Sequence, residues 1–201
     1  ETGPGGFIVP AATASGEVVV NGMSPSRRNN KFANSGIVVE INIDKDIPKY
    51  DQFGPLKGLE YQKNLERLAF TAGGRTQTAP AQRLVDFVDG KLSSNLNETS
   101  YQPGLNSAPM HSLLPKLIGS RLRKGFEAFG RKMHGYYTNE ANIVGVESRT
   151  SSPVNIPRKE NLEHPEIKGL FPCGEGGGYA GGIVSAAMDG ERCAEAAIEL
   201  L

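Results

Sequence analysis

Apolar positions along this chain change their period twice. Over residues 1–47 they come in short runs, over 48–142 they recur every three or four positions, and beyond 143 the runs return before a last three-and-four pattern. Residues 6–12, 17–20 and 36–43 are rich in Val and Ile and are separated by Gly, Asn, Ser and Pro, which predicts strands and turns. Asn21-Gly22 is read as a turn pair. Tyr61, Leu65, Leu68 and Ala69 then predict a helix that ends at Gly73-Gly74. Thr78 with Pro80 reads as a second helix start, with Leu84, Val85 and Val88 on the buried face. Residues 91–112 carry no clear period and read as a long loop. A helix follows over about 113–133, with Ile118, Leu122, Phe126, Phe129 and Met133 on its apolar stripe. Extended structure is expected over 143–153.

The last stretch is the most informative. Leu170, Phe171 and Cys173 form an apolar run suited to a buried strand. Ile183, Ala187, Gly190, Ala194, Ala197/Ile198 and Leu201 repeat as one face of a closing helix. Between them lie Gly174, Glu175, Gly176, Gly177, Gly178, Tyr179, Ala180, Gly181 and Gly182. Residues without a Cβ let a ligand touch the backbone. The first amides of a helix lack intrahelical partners and sit at the positive end of its dipole, which favours a pyrophosphate or a flavin carbonyl. Glu175, at the strand end, can accept hydrogen bonds from ribose-like hydroxyls. Gly176-x-Gly178-x-x-Gly181 matches the spacing of the dinucleotide fingerprint, but a full fingerprint needs a second strand with an acidic residue roughly 20 positions on. Here the sequence ends at Leu201 with the helix still running. The turn is therefore read as the last strand and helix of a larger nucleotide-binding domain.

Composition narrows the field. Lys plus Arg and Asp plus Glu number 22 each, so no global charge draws the chain to nucleic acid or an anionic membrane. No apolar run reaches the length needed to span a bilayer, and no signal-like segment opens the chain. Because the sequence starts at Glu1 inside a glycine-rich turn, it reads as a piece of a longer protein. Two cysteines make no disulfide framework, and reduced thiols in a cytoplasmic protein are the plain reading. Cys173 is expected to be a small buried thiol. The three histidines lack metal-ligand spacing, and no metal site is expected.

The glycine-rich stretch also carries a resemblance. GLFPCGEGGGYAGGIVSAAMDG (169–190) is similar to the C-terminal signature of two-dinucleotide-binding-domain flavoproteins. GPGGFIVPAA (3–12), VVVNGMSPSRR (18–28), ANSGIVVEI (33–41) and SRTSSPVNIPR (148–158) resemble stretches of the "NAD(FAD)-utilizing dehydrogenase" branch of FAD-dependent oxidoreductases. The resemblance implies FAD as cofactor of the complete protein, held by Gly174 to Gly178, Tyr179, Ala180, Gly181, Gly182 and Ile183, with Glu175 near the ribityl chain. NAD(P)H is the implied candidate electron donor. The first strand–helix unit of such a fold is absent from this sequence, so the fragment alone is expected to be inactive and to bind FAD weakly or not at all.

Three further clusters have open readings. The polar loop 24–34, with Arg27, Arg28 and Lys31, is either a solvated loop or a basic lip for phosphates or an anionic substrate. Arg149, Thr150 and Ser151 either bind a flavin edge or belong to a turn made by hydroxyls bonding back to the backbone. Lys116, Arg121, Arg123, Lys124, Arg131 and Lys132 give the 113–133 helix a basic face, either solvated or an RNA contact. No general acid or base stands out.

The resulting expectation is an α+β chain in which an inserted strand/helix substrate (cap) domain precedes the last strand and helix of an FAD-binding dinucleotide fold. The cap domain covers 1–145 (strands 1–47, mainly helical 48–142), and 146–201 is the C-terminal part of the FAD-binding domain. Its partners are an unidentified small-molecule substrate and the remaining N-terminal part of the FAD-binding domain. The alternatives are a flavin-fold protein that binds or modifies RNA, and a non-catalytic interaction domain.

Overall fold

The computed structural model describes residues 2–199. The chain is mixed α and β, with small sheets. It divides into two compact units, one built from residues up to Asp46 with Lys63–Ser148, the other from Ile47–Gln62 with residues from Arg149 onward.

The first unit opens with β1 (Thr2–Gly3), β2 (Phe7–Pro10), β3 (Val20–Met23) and β4 (Asn34–Ser35), followed by the short helix α1 (Ile43–Asp46). β1 pairs antiparallel with β4, and β2 pairs antiparallel with β3. Asn21-Gly22 is not a turn: it lies inside β3, opposite Val9 and Ile8. The chain reverses earlier, around Gly16, whose φ is +78°. Gly22 makes room for Asn34 instead. The Asn34 amide nitrogen donates to the carbonyls of Phe7 (3.3 Å) and Met23 (3.2 Å). A Cβ on Gly3 would stand 2.9 Å from Asn34 Oδ1, and one on Gly6 or Gly22 would collide with the same side chain. Residues 36–42 form no strand. Ile37, Val39 and Ile41 turn inward while Val38 and Glu40 face solvent, so the alternation survives as unpaired extended chain.

The unit continues through α2 (Lys57–Ala72), whose second half belongs here, then β5 (Ala79–Arg83), α3 (Leu84–Asp89), β6 (Leu105–Ser107), α4 (Met110–Leu113), α5 (Lys116–Lys132) and β7 (Asn142–Val144). α2 stops where the glycines require: Gly73 N–H closes the helix on Ala69 O at 2.8 Å. The helix start read at Thr78 and Pro80 is instead the central strand, β5, flanked by β6 in parallel and β7 antiparallel. Past the last paired residues Gly145 N–H donates to Pro80 O (3.1 Å), and pairing stops where proline has no N–H to return. The stretch read as a long loop contains β6 and α4. It is anchored by Tyr101, 2% exposed, whose hydroxyl donates to Gln77 O at 2.7 Å.

Two apolar clusters fill the unit. Val18, Val20, Ala69, Ala79 and Tyr101 pack together, and so do Leu84, Phe87, Met110, Leu114 and Phe126, with Val146 touching both groups. α5 follows its periodic pattern through Ile118, Leu122 and Phe126, but Met133, read on the same stripe, lies past the helix end and is 45% exposed. Phe126 is buried edge-on against Phe87 (centroids 6.0 Å, 87°), and Ile118 and Leu122 line the same face.

The second unit contains a 3-10 segment (Pro48–Leu56), the start of α2 and, at the far end, α6 (Ile183–Ile198). Leu170, Phe171 and Cys173 form no strand, and Cys173 is exposed rather than packed as a hydrophobe. The face of α6 read as buried is turned outward. Ile183 is 93% and Ile198 68% exposed, while Asp189 and Cys193 are buried. A charge-paired aspartate, rather than the apolar stripe, is what the unit holds; Leu201 lies outside the described residues. Among the described residues no helix is long and apolar enough to cross a membrane.

Candidate functional site

The glycine-rich segment folds as two consecutive turns that lead into α6. Gly178 N–H donates to Glu175 O (2.9 Å), Tyr179 N–H to Gly174 O (3.0 Å) and Gly177 N–H to Cys173 O (3.3 Å). A segment 23 positions earlier in sequence is stitched to it: Ile156 N–H donates to Gly177 O (3.1 Å) and Asn155 Nδ2 to Gly178 O (3.2 Å). α6 then begins at Gly182, whose backbone is extended (φ −145°, ψ 160°). Ser185 Oγ folds back onto it, accepting from Gly182 N–H (3.1 Å) and donating to Gly182 O (3.0 Å).

The glycines separate into two groups. At Gly178 φ is +84°, and a Cβ would stand 2.6 Å from Val154 O and 2.9 Å from Asn155 Cα. At Gly177 it would stand 3.0 Å from Cys173 N and O. These two are glycine because the polypeptide itself crowds them. A bulky residue at Gly178 therefore reports packing, not ligand contact. Gly176 and Gly181 are different: nothing lies within 4 Å of the Cβ they lack, and neither has a positive φ. Within this chain they leave that side of the backbone open, and Gly181 immediately precedes Gly182, the cap of the 16-residue helix α6. The first amides of that helix carry the positive end of its dipole. Glu175 is exposed and Tyr179 and Ala180 are half-buried, whereas Ile183 stands almost fully in solvent.

One group at this site was not singled out in the sequence. Arg158 and Asp189 form a bidentate ion pair, Nη1 to Oδ2 at 2.9 Å and Nη2 to Oδ1 at 2.8 Å. Both side chains are about nine-tenths buried. Arg158 Nη1 also donates to Pro172 O (2.9 Å), and its guanidinium carbon lies 3.6 Å from the centroid of the Tyr179 ring. Asp189 Oδ2 accepts from Gly174 N–H at 2.9 Å. The Arg158 hydrogen bond, and then the Gly174 amide, hold the Asp189 carboxyl down to about 2. The same hydrogen bond pushes the Arg158 guanidinium upward. Burial pushes the neighbouring Cys193 thiol up, which makes it a poor nucleophile. The one available signal was an aspartate set beside small residues in the closing helix, off the face read as apolar.

The other candidates are placed as follows. Arg149 is half-buried and Thr150 and Ser151 are exposed, all in the second unit; next to them Ser152 donates to Val154 O at 2.8 Å. Arg27 and Arg28 belong to the first unit and are exposed. Arg28 has a φ of +46°, in a turn closed by its N–H on Pro25 O (3.0 Å). Lys31 pairs with Glu98. On α5, Arg121 is tied to the Glu40 carbonyl (2.9 Å) and lies 3.8 Å from Asp46, while Arg123 lies over the Phe87 ring. Asp86 accepts from Ser93 (2.7 Å) and Asn139 (3.1 Å), bonds that lower its pKa. Asn139 in turn caps α3 by accepting from Val85 N–H at 3.0 Å, so this carboxylate serves the fold. Among the described residues no group of three or more His, Cys, Asp or Glu side chains is arranged to hold a metal ion.

Comparison with known proteins bears on what this arrangement serves. Residues 2–150 match the family model of the FAD-dependent protein, C-terminal domain-like family. The chain belongs to that family. The glycine turn lies beyond the residues matched. An uncharacterized protein of Clostridium beijerinckii is 40% identical over 198 residues, which cover 98% of this chain and 36% of the relative. The chain thus spans about a third of that relative's length.

Proposed function

We propose that this chain is the C-terminal part of an FAD-dependent oxidoreductase and that residues 174–183 lie against the flavin nucleotide. The carrying observation is the open backbone of Gly176 and Gly181 at the start of α6. Membership of an FAD-dependent family supports the choice of cofactor. In this reading residues 1–145 form an inserted substrate or cap domain, and 146–201 complete an FAD-binding domain whose other part lies elsewhere in the protein. FAD would supply the electron transfer itself. The chain's own residues bind and orient. Gly176 and Gly181 let the ligand reach the backbone, the first amides of α6 face its electron-rich edge, and Glu175 takes the hydroxyls of the ribityl chain. Arg27 or Arg28 in the first unit, and independently Arg149, Thr150 and Ser151 in the second, are each assigned to an anionic substrate or the flavin edge. NAD(P)H is the proposed electron donor, and the branch proposed within the family is that of the NAD(FAD)-utilizing dehydrogenases.

The test is Gly176→Ala and Gly181→Ala in the complete protein, with bound flavin read from visible absorbance after purification and melting temperature as the folding control. Within this chain the added methyls meet no atom within 4 Å. The expected result is unchanged melting of the flavin-free form with flavin content at least halved. Full flavin occupancy in both variants would remove the turn from the cofactor site.

A further inference from the structure

We propose that Arg158, Asp189 and Tyr179 form a latch that holds the glycine turn at a fixed distance from the start of α6, and that Arg158 and Asp189 are positioning residues for the bound flavin. This rests on the function proposed above and adds to it the residues that set the geometry. Each attachment point falls at a different place on the turn. Asp189, in the second turn of α6, accepts the Gly174 amide (2.9 Å) and so fixes where the turn begins. Arg158 holds Pro172 O (2.9 Å), the residue two positions earlier. Its guanidinium face covers the Tyr179 ring at 3.6 Å, and the Tyr179 hydroxyl donates to Ile156 O (2.8 Å), which fixes where the turn ends. The open glycine Gly176 lies between those two fixed ends, and Gly181 follows closely.

The chemistry suits such a task. A bidentate Arg–carboxylate pair has a defined plane, and stacking on an aromatic ring sets that plane a second time. A lysine in place of Arg158 keeps the charge but loses both the fork and the flat face. Because the two charges neutralise each other where water is scarce, the latch adds little net field of its own. It acts through the backbone amides it places. If those amides stabilise electron-rich flavin, small displacements weaken binding and shift the balance between its oxidised and reduced forms.

The experiment uses the complete protein and three variants, Arg158→Lys, Asp189→Asn and Tyr179→Phe. Amide hydrogen exchange over 172–182 is measured without flavin, and FAD affinity and midpoint potential are measured with it. Arg158→Lys is expected to speed exchange across the turn and weaken FAD about tenfold, the lower end for loss of an outer-shell contact. It should also lower the potential by about 30 mV, the equivalent of a tenfold change for a two-electron couple. Tyr179→Phe, which keeps the ring under Arg158, should shift all three readouts less than Arg158→Lys does. Unchanged exchange in Arg158→Lys and Asp189→Asn overturns the latch. Faster exchange with wild-type affinity and potential reduces the pair to a structural role and overturns the positioning claim. A wild-type protein that takes up no FAD overturns the cofactor reading first and this inference with it.

Discussion

Gly178→Ala separates packing from ligand contact within one motif. At φ +84° an alanine occupies the left-handed region, at about 1–2 kcal/mol. Its Cβ also enters a space 2.6 Å from Val154 O and 2.9 Å from Asn155 Cα, both main-chain atoms that cannot swing aside. Overpacking of this kind costs about 1–3 kcal/mol. Together the two effects give about 2–5 kcal/mol, felt where residues 154–156 are joined to the turn. Gly176→Ala is the internal control. It has no neighbour within 4 Å and no positive φ, so its effect stays within about 0.5 kcal/mol. The assay is amide exchange of the flavin-free protein in the segments containing 154–158 and 174–179. Since each 1.4 kcal/mol is tenfold, Gly178→Ala should cut protection there by about thirtyfold or more, and Gly176→Ala by less than about threefold. Equal protection in the two variants, in either direction, refutes the reasoning. It would mean that the two glycines are not held for different causes.

Two further outcomes follow from the same structure. Phe126→Ala removes a ring that is 4% exposed and edge-on to Phe87, and should destabilise the first unit by about 3–5 kcal/mol in a urea titration; a loss below about 1 kcal/mol would contradict the packing described. Asp189 titrates at about 2 when folded against an ordinary value of 3.8, so its contribution is complete above about pH 4 and is lost as pH falls toward 2. That contribution is about 2 kcal/mol. Asp189→Asn should erase this acid-dependent part, and urea midpoints that fall equally in both proteins between pH 4 and 2 would contradict it.

Periodicity served well where burial on one face alone decides structure. α5 was legible because Ile118, Leu122 and Phe126 recur on one stripe and all pack inward. The end of α2 was legible because Gly73-Gly74 cannot continue a helix cheaply. β5 was missed because Pro80 is a strong local signal for a helix start, and only the partners Leu105–Ser107 and Asn142–Val144, distant in sequence, make it a central strand. Asn21-Gly22 misled for a similar reason: its glycine answers to Asn34, not to a tight turn. The glycine turn and its helix were visible as a motif. What divides the glycines, Val154 and Asn155 on one side and open space on the other, was not, since it depends on residues about 20 positions away. The ion pair stayed hidden because its two halves lie 31 positions apart and nothing local to either points to the other.

The setting of Asn34 has a consequence for how this domain can vary through descent. Two stretches of the sequence, one holding Gly3 and Gly6 and the other Gly22, give up their side chains to house one carboxamide. A larger residue at Gly3 or Gly22 is tolerable only once position 34 has shrunk, whereas at Gly6 the Met23 and Gly3 carbonyls block it as well; a shrunken 34 leaves the Phe7 and Met23 carbonyls short of a donor. Relatives that share this strand arrangement should therefore keep Gly6, and should keep positions 3, 22 and 34 together or replace them in concert, with single departures rare.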